Sequence, residues 1–277
     1  MKRFFINITN ILVDNEIIVS NELKNHLFAL RVKLYETIEI FNGNGIAYAA
    51  EVILINKKQV IIRVIGALKP TNNKHLIKYN IILAVAVVNL DKMDIIIQKS
   101  TELNVANIVP IITNRVQNPN KPHLNRKIPH WDNIINSSSM EQCRRNLKPK
   151  LHSIIDFKQL LELSTTNDEM QCQYKFILTP PRQNNKQEEK QYKHMKYNTN
   201  STNDDNLHNT LSTNQHNNKN ILILIGPEGG FTNDELELAL QHDFIATCLG
   251  NNVLRTETAA IAAITTIQVL YNNWYQT

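Results

Sequence analysis

Glycine is scarce in this chain, and its distribution is uneven. Only 7 of the 277 residues are glycine, and three of the seven fall in one turn, Gly226-Pro227-Glu228-Gly229-Gly230. Because glycine has no Cβ, a glycine-poor protein tends to keep it where the backbone bends sharply or where a ligand comes close to the backbone. We therefore predict that the backbone of this turn either bends sharply or approaches a ligand.

Cysteines and long apolar runs are also lacking. The three cysteines are odd in number, widely spaced and without a CxxC pair, which excludes a disulfide framework and gives no zinc-ligand spacing. No apolar stretch is long enough to span a bilayer. Polar residues between Asn7 and Asp14 interrupt the apolar segment near the start before it could serve as a signal sequence. The sequence therefore predicts a cytoplasmic protein with no metal and no membrane partner.

Basic residues are almost absent from the last part of the chain. After residue 220, Arg255 is the only Lys or Arg against six acidic residues, whereas residues 116–150 hold seven Lys or Arg against two acidic residues. The net charge of +5 is therefore concentrated in one region, as expected for a surface that meets a polyanion. The alternative is a basic helix face that is merely solvated.

The chain divides into two differently patterned regions. Residues 1–68 alternate short apolar strands with a single short helix capped by Ser20, which predicts a small β-barrel-like domain over residues 1–70. A polar stretch that contains Pro70 marks the boundary. Residues 75–277 then follow a βαβ pattern that is typical of an α/β domain with a parallel sheet.

Three elements open the α/β region. Residues 81–88 are continuously apolar, as a buried parallel strand requires. Asp91 is the expected N-cap of the following helix, and Asn104 is its expected terminator, because asparagine tolerates the left-handed conformation better than most residues do. Residues 105–112 form the next predicted strand.

Residues 183–220 differ in kind from the rest of the region. Asparagine, glutamine, lysine and threonine dominate there, and ten asparagines fall between Arg182 and Lys219. Such a composition cannot bury enough apolar surface to offset the entropy of ordering the chain. We predict a flexible insertion whose deletion, over roughly residues 185–218, has little effect.

Two loops follow successive predicted strands near the end of the chain. The glycine-rich turn comes directly after the apolar run Ile221–Ile225, and a second loop, 249–256, follows the next strand, 244–249. Thr232 and Glu235 have the spacing of a capping box, and Thr256 is the expected cap of the last helix. Ligands of open α/β sheets bind where strands end in such loops. No Lys-Ser or Lys-Thr follows the glycines, so an acidic turn of this kind suits a neutral or cationic ligand better than a phosphate.

Four segments carry a resemblance to a known family. They are Ile225–Phe231, Leu249–Ala259, Lys92–Asp94 with Ile97–Leu103, and Glu141–Cys143 with Arg145–Asn146. The first two resemble the signature loops of the bacterial small-subunit ribosomal RNA uridine-N3 methyltransferase family, part of the SPOUT class, and the others resemble two further motifs of that family. The resemblance covers nearly the whole chain apart from the asparagine-rich insertion.

The resemblance implies a fold, a cofactor and partners. It implies an N-terminal PUA-like β-barrel, a C-terminal SPOUT α/β domain with a trefoil knot, and a homodimer. It also implies S-adenosylmethionine as methyl donor, S-adenosylhomocysteine as product, and methyl transfer to N3 of a uridine in the decoding region of 16S rRNA in the small subunit. The implied cofactor-binding residues are Leu178, Thr179, Ile225, Gly226, Pro227, Glu228, Gly229, Gly230, Leu249, Gly250, Val253, Leu254, Arg255 and Thr256.

Four residues are candidates for the chemistry. Uracil N3 is a weak nucleophile until it loses its proton, so an enzyme must stabilise the uracil anion. Arg255 could hold the anionic edge, and Arg145 could do so instead or bind a phosphate. Glu141 and Glu257 are the candidate bases, although neighbouring arginines and a helix N-terminus respectively favour their ionised, weakly basic forms. The candidate RNA-binding residues are Arg3, Arg31, Arg126, Lys127, Arg144, Arg145 and Lys148.

Two departures from the family pattern bear on function. Asn104 stands where the family usually has glycine, and Arg144 replaces a small residue, commonly glycine, so arginine is strained there if that backbone needs positive φ. Arg144 and the insertion prompt an alternative from another class, a non-catalytic ribosome-binding or assembly protein that keeps the fold. A related enzyme acting on ribose 2′-hydroxyls or on tRNA is a third hypothesis, which the N-terminal domain and the run Leu254–Glu257 disfavour.

Overall fold

The computed structural model describes residues 1–68, 79–117, 119, 124–139, 143–181 and 220–270. The chain forms two compact units, Met1–Leu76 with Asp132–Lys148 and Ile77–Trp131 with Pro149–Thr277. The predicted boundary at residue 70 and nearly all of the predicted insertion lie outside the described residues. None of the described helices is long and apolar enough to cross a membrane.

The first unit is built on one five-stranded mixed sheet. Its elements are β1 (Arg3–Phe5), β2 (Glu16–Ile18), α1 (Asn21–Ala29), β3 (Thr37–Phe41), β4 (Ala47–Ile55) and β5 (Val60–Ala67). The strand order is β1-β3-β4-β5-β2, in which β1 is parallel to β3 and the other pairs are antiparallel. Ser20 caps α1 as predicted, because its side chain accepts a hydrogen bond from the Leu23 amide. Leu23 and Leu27 face a core that includes Phe4 and Ile38.

One segment of the first unit comes from far along the chain. The sequence interpretation counted Asp132–Lys148 with the α/β region, whereas the structure counts it with the β-rich unit. The Gly45 amide donates to the Asn146 carbonyl at 3.0 Å, and the Lys148 amide donates to the Gly43 carbonyl at 2.9 Å. These bonds join two segments about a hundred residues apart, which no local sequence pattern encodes.

The second unit contains a parallel sheet with helices. Its elements are β6 (Asn80–Ala86), α2 (Leu90–Glu102), β7 (Asn107–Ile112), α3 (Ile128–Asn133), β8 (Lys150–Leu151), β9 (Ile155–Asp156), α4 (Phe157–Thr166), β10 (Tyr174–Leu178), β11 (Asn220–Ile225), α5 (Asn233–Gln241), β12 (Ile245–Thr247) and α6 (Thr256–Leu270). A π-helical segment, Ile134–Ser139, continues α3 and belongs to the first unit.

All pairs in this second sheet are parallel. The strand order is β12-β10-β11-β6-β7-β8, and β9 also pairs with β7. Strands β6 and β11 lie side by side in the middle, and nearly all of their residues are buried, as the apolar runs predict. The predicted α/β class is therefore confirmed. Because the strands are parallel, their carboxyl ends meet at one edge of the sheet, which is where a ligand site is expected.

The predicted helix ends are partly right. Thr232 and Glu235 form both halves of a capping box at α5, and Asn104 has φ +61°, so both predictions are confirmed. The predicted N-cap of α2 is wrong, because Asn89 accepts from the Asp91 amide instead. Thr256 is the first residue of α6, and its hydroxyl donates to a carbonyl in the glycine-rich turn rather than capping the helix.

Candidate active site

A cleft lies at the carboxyl ends of the three adjacent strands β10, β11 and β12. It encloses about 160 Å³ and is lined by the strand ends, the glycine-rich turn, the loop after β12 and the start of α6. Ligand pockets usually hold about 300 Å³ or more. The cleft formed by this chain would therefore cover only part of a nucleoside-sized ligand.

The cleft brings together most of the residues that the sequence selects as cofactor ligands. Twelve of the fourteen line it, namely Leu178, Thr179, Ile225, Gly226, Pro227, Glu228, Gly229, Gly230, Leu249, Val253, Leu254 and Thr256. Gly250 and Arg255 are not among the lining residues. Pro180, Pro181, Asn252 and Ala259 line the cleft in addition. Arg255 is exposed, lies in the chain between the two lining residues Leu254 and Thr256, and acts through its charge on Lys92.

Packing within the protein explains one glycine of the turn, and backbone conformation explains another. A Cβ at Gly226 would lie 3.0 Å from the ring of Phe231, and a Cβ at Gly229 would lie 3.4 Å from the side chain of Arg115. Gly230 has φ +68°, a conformation that side chains rarely adopt. The sequence interpretation gave a sharp bend or the approach of a ligand as the reason for these glycines. Close packing accounts for Gly226 and backbone conformation accounts for Gly230, whereas the contact at Gly229 is an ordinary van der Waals contact.

Side chains from two other elements hold the glycine-rich turn. The Thr256 hydroxyl of α6 donates to the Gly226 carbonyl at 3.3 Å. Arg115, in the loop after β7, donates through Nη1 to the Gly229 carbonyl at 2.7 Å. The turn is also closed on itself, because the Gly230 amide donates to the Pro227 carbonyl at 2.8 Å. These bonds fix the backbone of the turn before any ligand arrives.

An ion pair connects α2 to the same turn. Lys92 Nζ lies 2.8 Å from Glu228 Oε1. The hydrogen bond to Glu228 is the main reason that the pKa of Lys92 is raised, with a further increase from Glu257 and an opposing decrease from Arg255. Burial alone would raise the pKa of Glu228, but the hydrogen bond and charge of Lys92 outweigh it and lower that pKa. Three charged side chains thus act on Lys92 beside the cleft.

Of the two candidate bases, Glu257 and Glu141, the structure describes only Glu257. Glu257, in the first turn of α6, has a buried Oε2 with no hydrogen-bond partner in the part of the chain that the structure describes. A buried acceptor without a partner is costly, so this oxygen is suited to accept a bond from a bound ligand. Glu141 lies outside the described residues.

Arg145 and Arg144, both in the first unit, are placed very differently. The Nε of Arg145 donates to the Leu147 carbonyl at 2.5 Å, and burial lowers the pKa of its guanidinium to about 10, so it remains cationic at neutral pH. Arg144 is exposed and has φ +56°. The condition under which the sequence predicts strain at Arg144 is therefore met.

Two other candidate RNA-binding residues of the first unit are engaged within the protein. The side chain of Arg3 is only 7% exposed and pairs with Glu39, while its Nη2 donates to the Arg145 carbonyl at 2.8 Å. Lys148 Nζ lies 2.6 Å from Asp132. Arg3 in particular has a structural role that leaves little of it for RNA.

The remaining candidates are more accessible. Arg31 is exposed in the first unit, and in the second unit Arg126 is exposed while Lys127 is half-buried. The predicted RNA-binding set therefore divides between the two units. In the described ranges, no group of three or more His, Cys, Asp and Glu side chains could hold a metal ion.

Lys92 and Arg115 were not selected as site residues from the sequence. Lys92 belongs to one of the four segments that carry the family resemblance, but that resemblance assigns no role to its charge. Arg115 lies one residue before the basic region that was counted from residue 116. Both follow strands of the parallel sheet at its carboxyl edge, and that position was the signal that could have identified them.

The fold and the cleft define a class of protein, an α/β protein with a ligand cleft at the carboxyl edge of its parallel sheet and a separate β-rich unit. Residues 75–268 match the family described as RNA methyltransferase domain, and residues 19–65 match the RNA methyltransferase PUA domain. The chain therefore belongs to the RNA methyltransferase family that carries a PUA domain, which confirms the predicted fold class and the predicted family.

Individual relatives agree with this assignment. The chain is 30% identical over 246 residues to the ribosomal RNA small subunit methyltransferase E of Buchnera aphidicola from Acyrthosiphon pisum, covering 88% of this chain and 84% of that protein. A methyltransferase of Legionella pneumophila, solved with bound S-adenosylmethionine, is 29% identical with a TM-score of 0.75 and 97% of each chain covered. The ribosomal RNA small subunit methyltransferase E of Neisseria gonorrhoeae, also bound to S-adenosylmethionine, is 28% identical with a TM-score of 0.75 and 98% of each chain covered.

Proposed function

We propose that this protein transfers the methyl group of S-adenosylmethionine to N3 of a uridine in 16S rRNA of the small ribosomal subunit. The observation that carries the proposal is the cleft at the carboxyl edge of the sheet, where the two signature loops meet. Relatives of similar length that bind S-adenosylmethionine support it, as do relatives that bear the name of a small-subunit rRNA methyltransferase.

The residues of the cleft suit this cofactor. Leu178, Ile225 and Leu254 offer apolar surface for an adenine ring, and the backbone groups of the turn offer hydrogen bonds. The lowered pKa of Glu228 keeps its carboxylate ionised, which favours a ligand that carries positive charge. S-adenosylmethionine supplies an electrophilic methyl group on a cationic sulfur. A phosphate-bearing ligand would meet an acidic turn instead.

The chain's own residues then act on the uracil. In this proposal the exposed Arg255 stabilises the negative charge that develops on the uracil oxygens when N3 loses its proton. Glu257 remains a candidate to order the cofactor through its buried oxygen or to accept that proton. Arg145 is the alternative cation, because its guanidinium remains charged at neutral pH.

Several finer features form part of the proposal. One is the homodimer that the family resemblance implies. In a homodimer, a second copy of the chain would complete the wall of a cleft that encloses only about 160 Å³. The proposal also includes the trefoil knot and a cytoplasmic location. It further includes RNA contacts through the exposed or half-buried basic residues Arg31, Arg126, Lys127 and Arg144.

The test is a methylation assay with small ribosomal subunits that lack the modification. The purified protein is expected to bind S-adenosylmethionine and to produce 3-methyluridine, detected by mass spectrometry of the digested rRNA. A methylated ribose or a different methylated base would refute the assignment to uracil N3. The second candidate, a non-catalytic ribosome-binding protein, is motivated by the positive φ of Arg144, and binding to subunits without methyl transfer or cofactor binding would favour it.

A further inference from the structure

We infer that Arg115 is a positioning residue for the cofactor cleft, acting through the carbonyl of Gly229. This inference rests on the proposed function, since it assigns the cleft to S-adenosylmethionine. The bond from Arg115 Nη1 to the Gly229 oxygen is 2.7 Å long and charge-assisted. Gly229 itself lines the cleft, so Arg115 acts on the ligand site through the backbone.

The stem of Arg115 packs on the same glycine. The Cβ and Cδ atoms of Arg115 both lie 3.4 Å from the position that a Cβ of Gly229 would take. The aliphatic stem therefore covers the face of Gly229 that a side chain would occupy, while the guanidinium holds its carbonyl. One residue thereby restrains both the position and the orientation of this peptide unit.

Arg115 is itself held by the element that follows the turn. The backbone amide of its neighbour Asn114 donates at 2.7 Å to Glu235 Oε1, and the other carboxylate oxygen of Glu235 accepts from the Thr232 amide at 2.8 Å. Val116, on the other side, is buried. The loop after β7 is thus fixed to the start of α5.

The carboxyl-terminal end of the glycine-rich turn is consequently held at two points by one loop. Arg115 holds Gly229, and Asn114 is joined through Glu235 to Thr232, three residues further on. Binding sites gain affinity when the bound conformation is already present in the free protein, because less ordering is needed on binding. The structure assigns this ordering function to Arg115.

The exposure of Arg115 separates this role from a role in folding. An exposed cation contributes little to global stability, so its loss is expected to loosen the turn without unfolding the protein. The expected effect of Arg115→Ala is about tenfold weaker binding of S-adenosylmethionine, as the loss of one charge-assisted hydrogen bond would give. The maximal rate at saturating cofactor is expected to stay near that of the wild type, because Arg115 does not touch the reacting atoms.

The experiment compares the full-length wild type with Arg115→Ala, Arg115→Lys and Arg63→Ala. Arg63 is a matched control, an exposed arginine in an ion pair with Glu16 in the other unit. Calorimetric titration gives the cofactor Kd, and steady-state kinetics separates KM for the cofactor from kcat. Arg115→Lys is expected to recover part of the affinity, and Arg63→Ala is expected to bind like the wild type.

Hydrogen exchange of residues 226–232 in the ligand-free proteins gives a readout that does not need the cofactor. We expect faster exchange at the Gly230 amide in Arg115→Ala, with an unchanged melting temperature. Wild-type exchange together with wild-type Kd in Arg115→Ala would overturn the inference, and so would a fall in kcat with unchanged Kd. If the wild type does not bind S-adenosylmethionine, the proposed function fails, while the exchange measurement still decides whether Arg115 orders the turn.

Discussion

Lys92 and Glu228 form an ion pair of 2.8 Å that connects the first turn of α2 to the glycine-rich turn of the cleft. The two residues are 136 positions apart in the chain. Among the described residues that line the cleft, Glu228 is the one acidic side chain, and the pair fixes it and keeps it ionised. Through this pair, a helix that follows a strand of the parallel sheet holds the negative charge that a cationic cofactor would meet.

Glu228→Gln is expected to weaken the binding of S-adenosylmethionine severalfold, because it removes the negative charge and loosens the turn. The pKa of Glu228 is lowered below 4.5 and that of Lys92 is raised above 10.5. The contribution of the ion pair to cofactor binding is thus fully present between about pH 5 and pH 10. It is lost as the pH falls through the lowered pKa of Glu228. It is also lost as the pH rises through the raised pKa of Lys92. Calorimetry at pH 5.5 and pH 8.5 should give the same ratio of wild-type to variant Kd, with Glu16→Gln as control. A ratio that changes between the two pH values would contradict this prediction.

Arg255→Ala is expected to lower kcat by about 10² to 10³, the usual effect of removing one donor that stabilises a developing anion. The side chain is exposed, so folding should be unaffected. Single-turnover methylation with saturating cofactor measures the effect, and circular dichroism checks the fold. Thr258→Ala, an exposed change in the same helical turn, is the control. Near-normal turnover in Arg255→Ala would remove Arg255 from the mechanism.

Gly226→Ala is expected to destabilise the protein by about 1–2 kcal/mol, because the added methyl group would meet the Phe231 ring at 3.0 Å. If this contact is the cause, Phe231→Leu should make room for the methyl group, and the two changes should be non-additive. Urea denaturation of the single and double variants measures the free energies of unfolding. Additive effects would show that Gly226 is needed for another reason.

Arg144→Gly is expected to stabilise the first unit by up to about 1 kcal/mol. A non-glycine residue at positive φ costs about 1–2 kcal/mol, and part of the gain is offset by the greater freedom of glycine in the unfolded chain. Arg144→Ala removes the charge but keeps the conformational demand, so it should not stabilise the protein. Thermal denaturation of both variants distinguishes strain from charge, and equal melting temperatures would argue against strain.

The sheet topology changes the prediction for the asparagine-rich segment. Strands β10 and β11 are adjacent and parallel, so the chain must return from the carboxyl end of one to the amino end of the other. Such crossovers usually need a dozen or more residues. Deleting residues 185–218 would leave fewer residues than that between the two strands. In contrast to the prediction from composition, we expect this deletion to reduce the yield of folded protein.

A replacement of the same residues by a glycine-serine linker of about fourteen residues is the matched variant. It restores the length of the connection without the native composition, so it should give folded, cofactor-binding protein. Size-exclusion chromatography and the cofactor Kd measure both outcomes. A fully folded short deletion would contradict the crossover argument.

Features that depend on neighbouring residues could be predicted from the sequence. The capping box of α5, the left-handed Asn104 and the buried strands β6 and β11 each follow from a few consecutive side chains. The N-cap of α2 was misplaced by two residues, because asparagine and aspartate are both good caps and both occur there. The pairing of the three-residue strand β1 with β3 joins residues more than thirty positions apart, such as Arg3 and Glu39, so local patterns do not encode it.

The sequence alone determined the class of protein and most of the cleft. Its two signature loops follow strands that end at the same edge of a parallel sheet, so residues selected from local motifs converge in space. The tertiary structure decided which side chains hold those loops. Arg115 and Gly229 are 114 positions apart, and the segment Asp132–Lys148 belongs to the β-rich unit although Ile77–Trp131 of the other unit stands between it and the rest of that unit in the chain. Such contacts arise from the packing of distant elements, and no pattern of neighbouring residues encodes them.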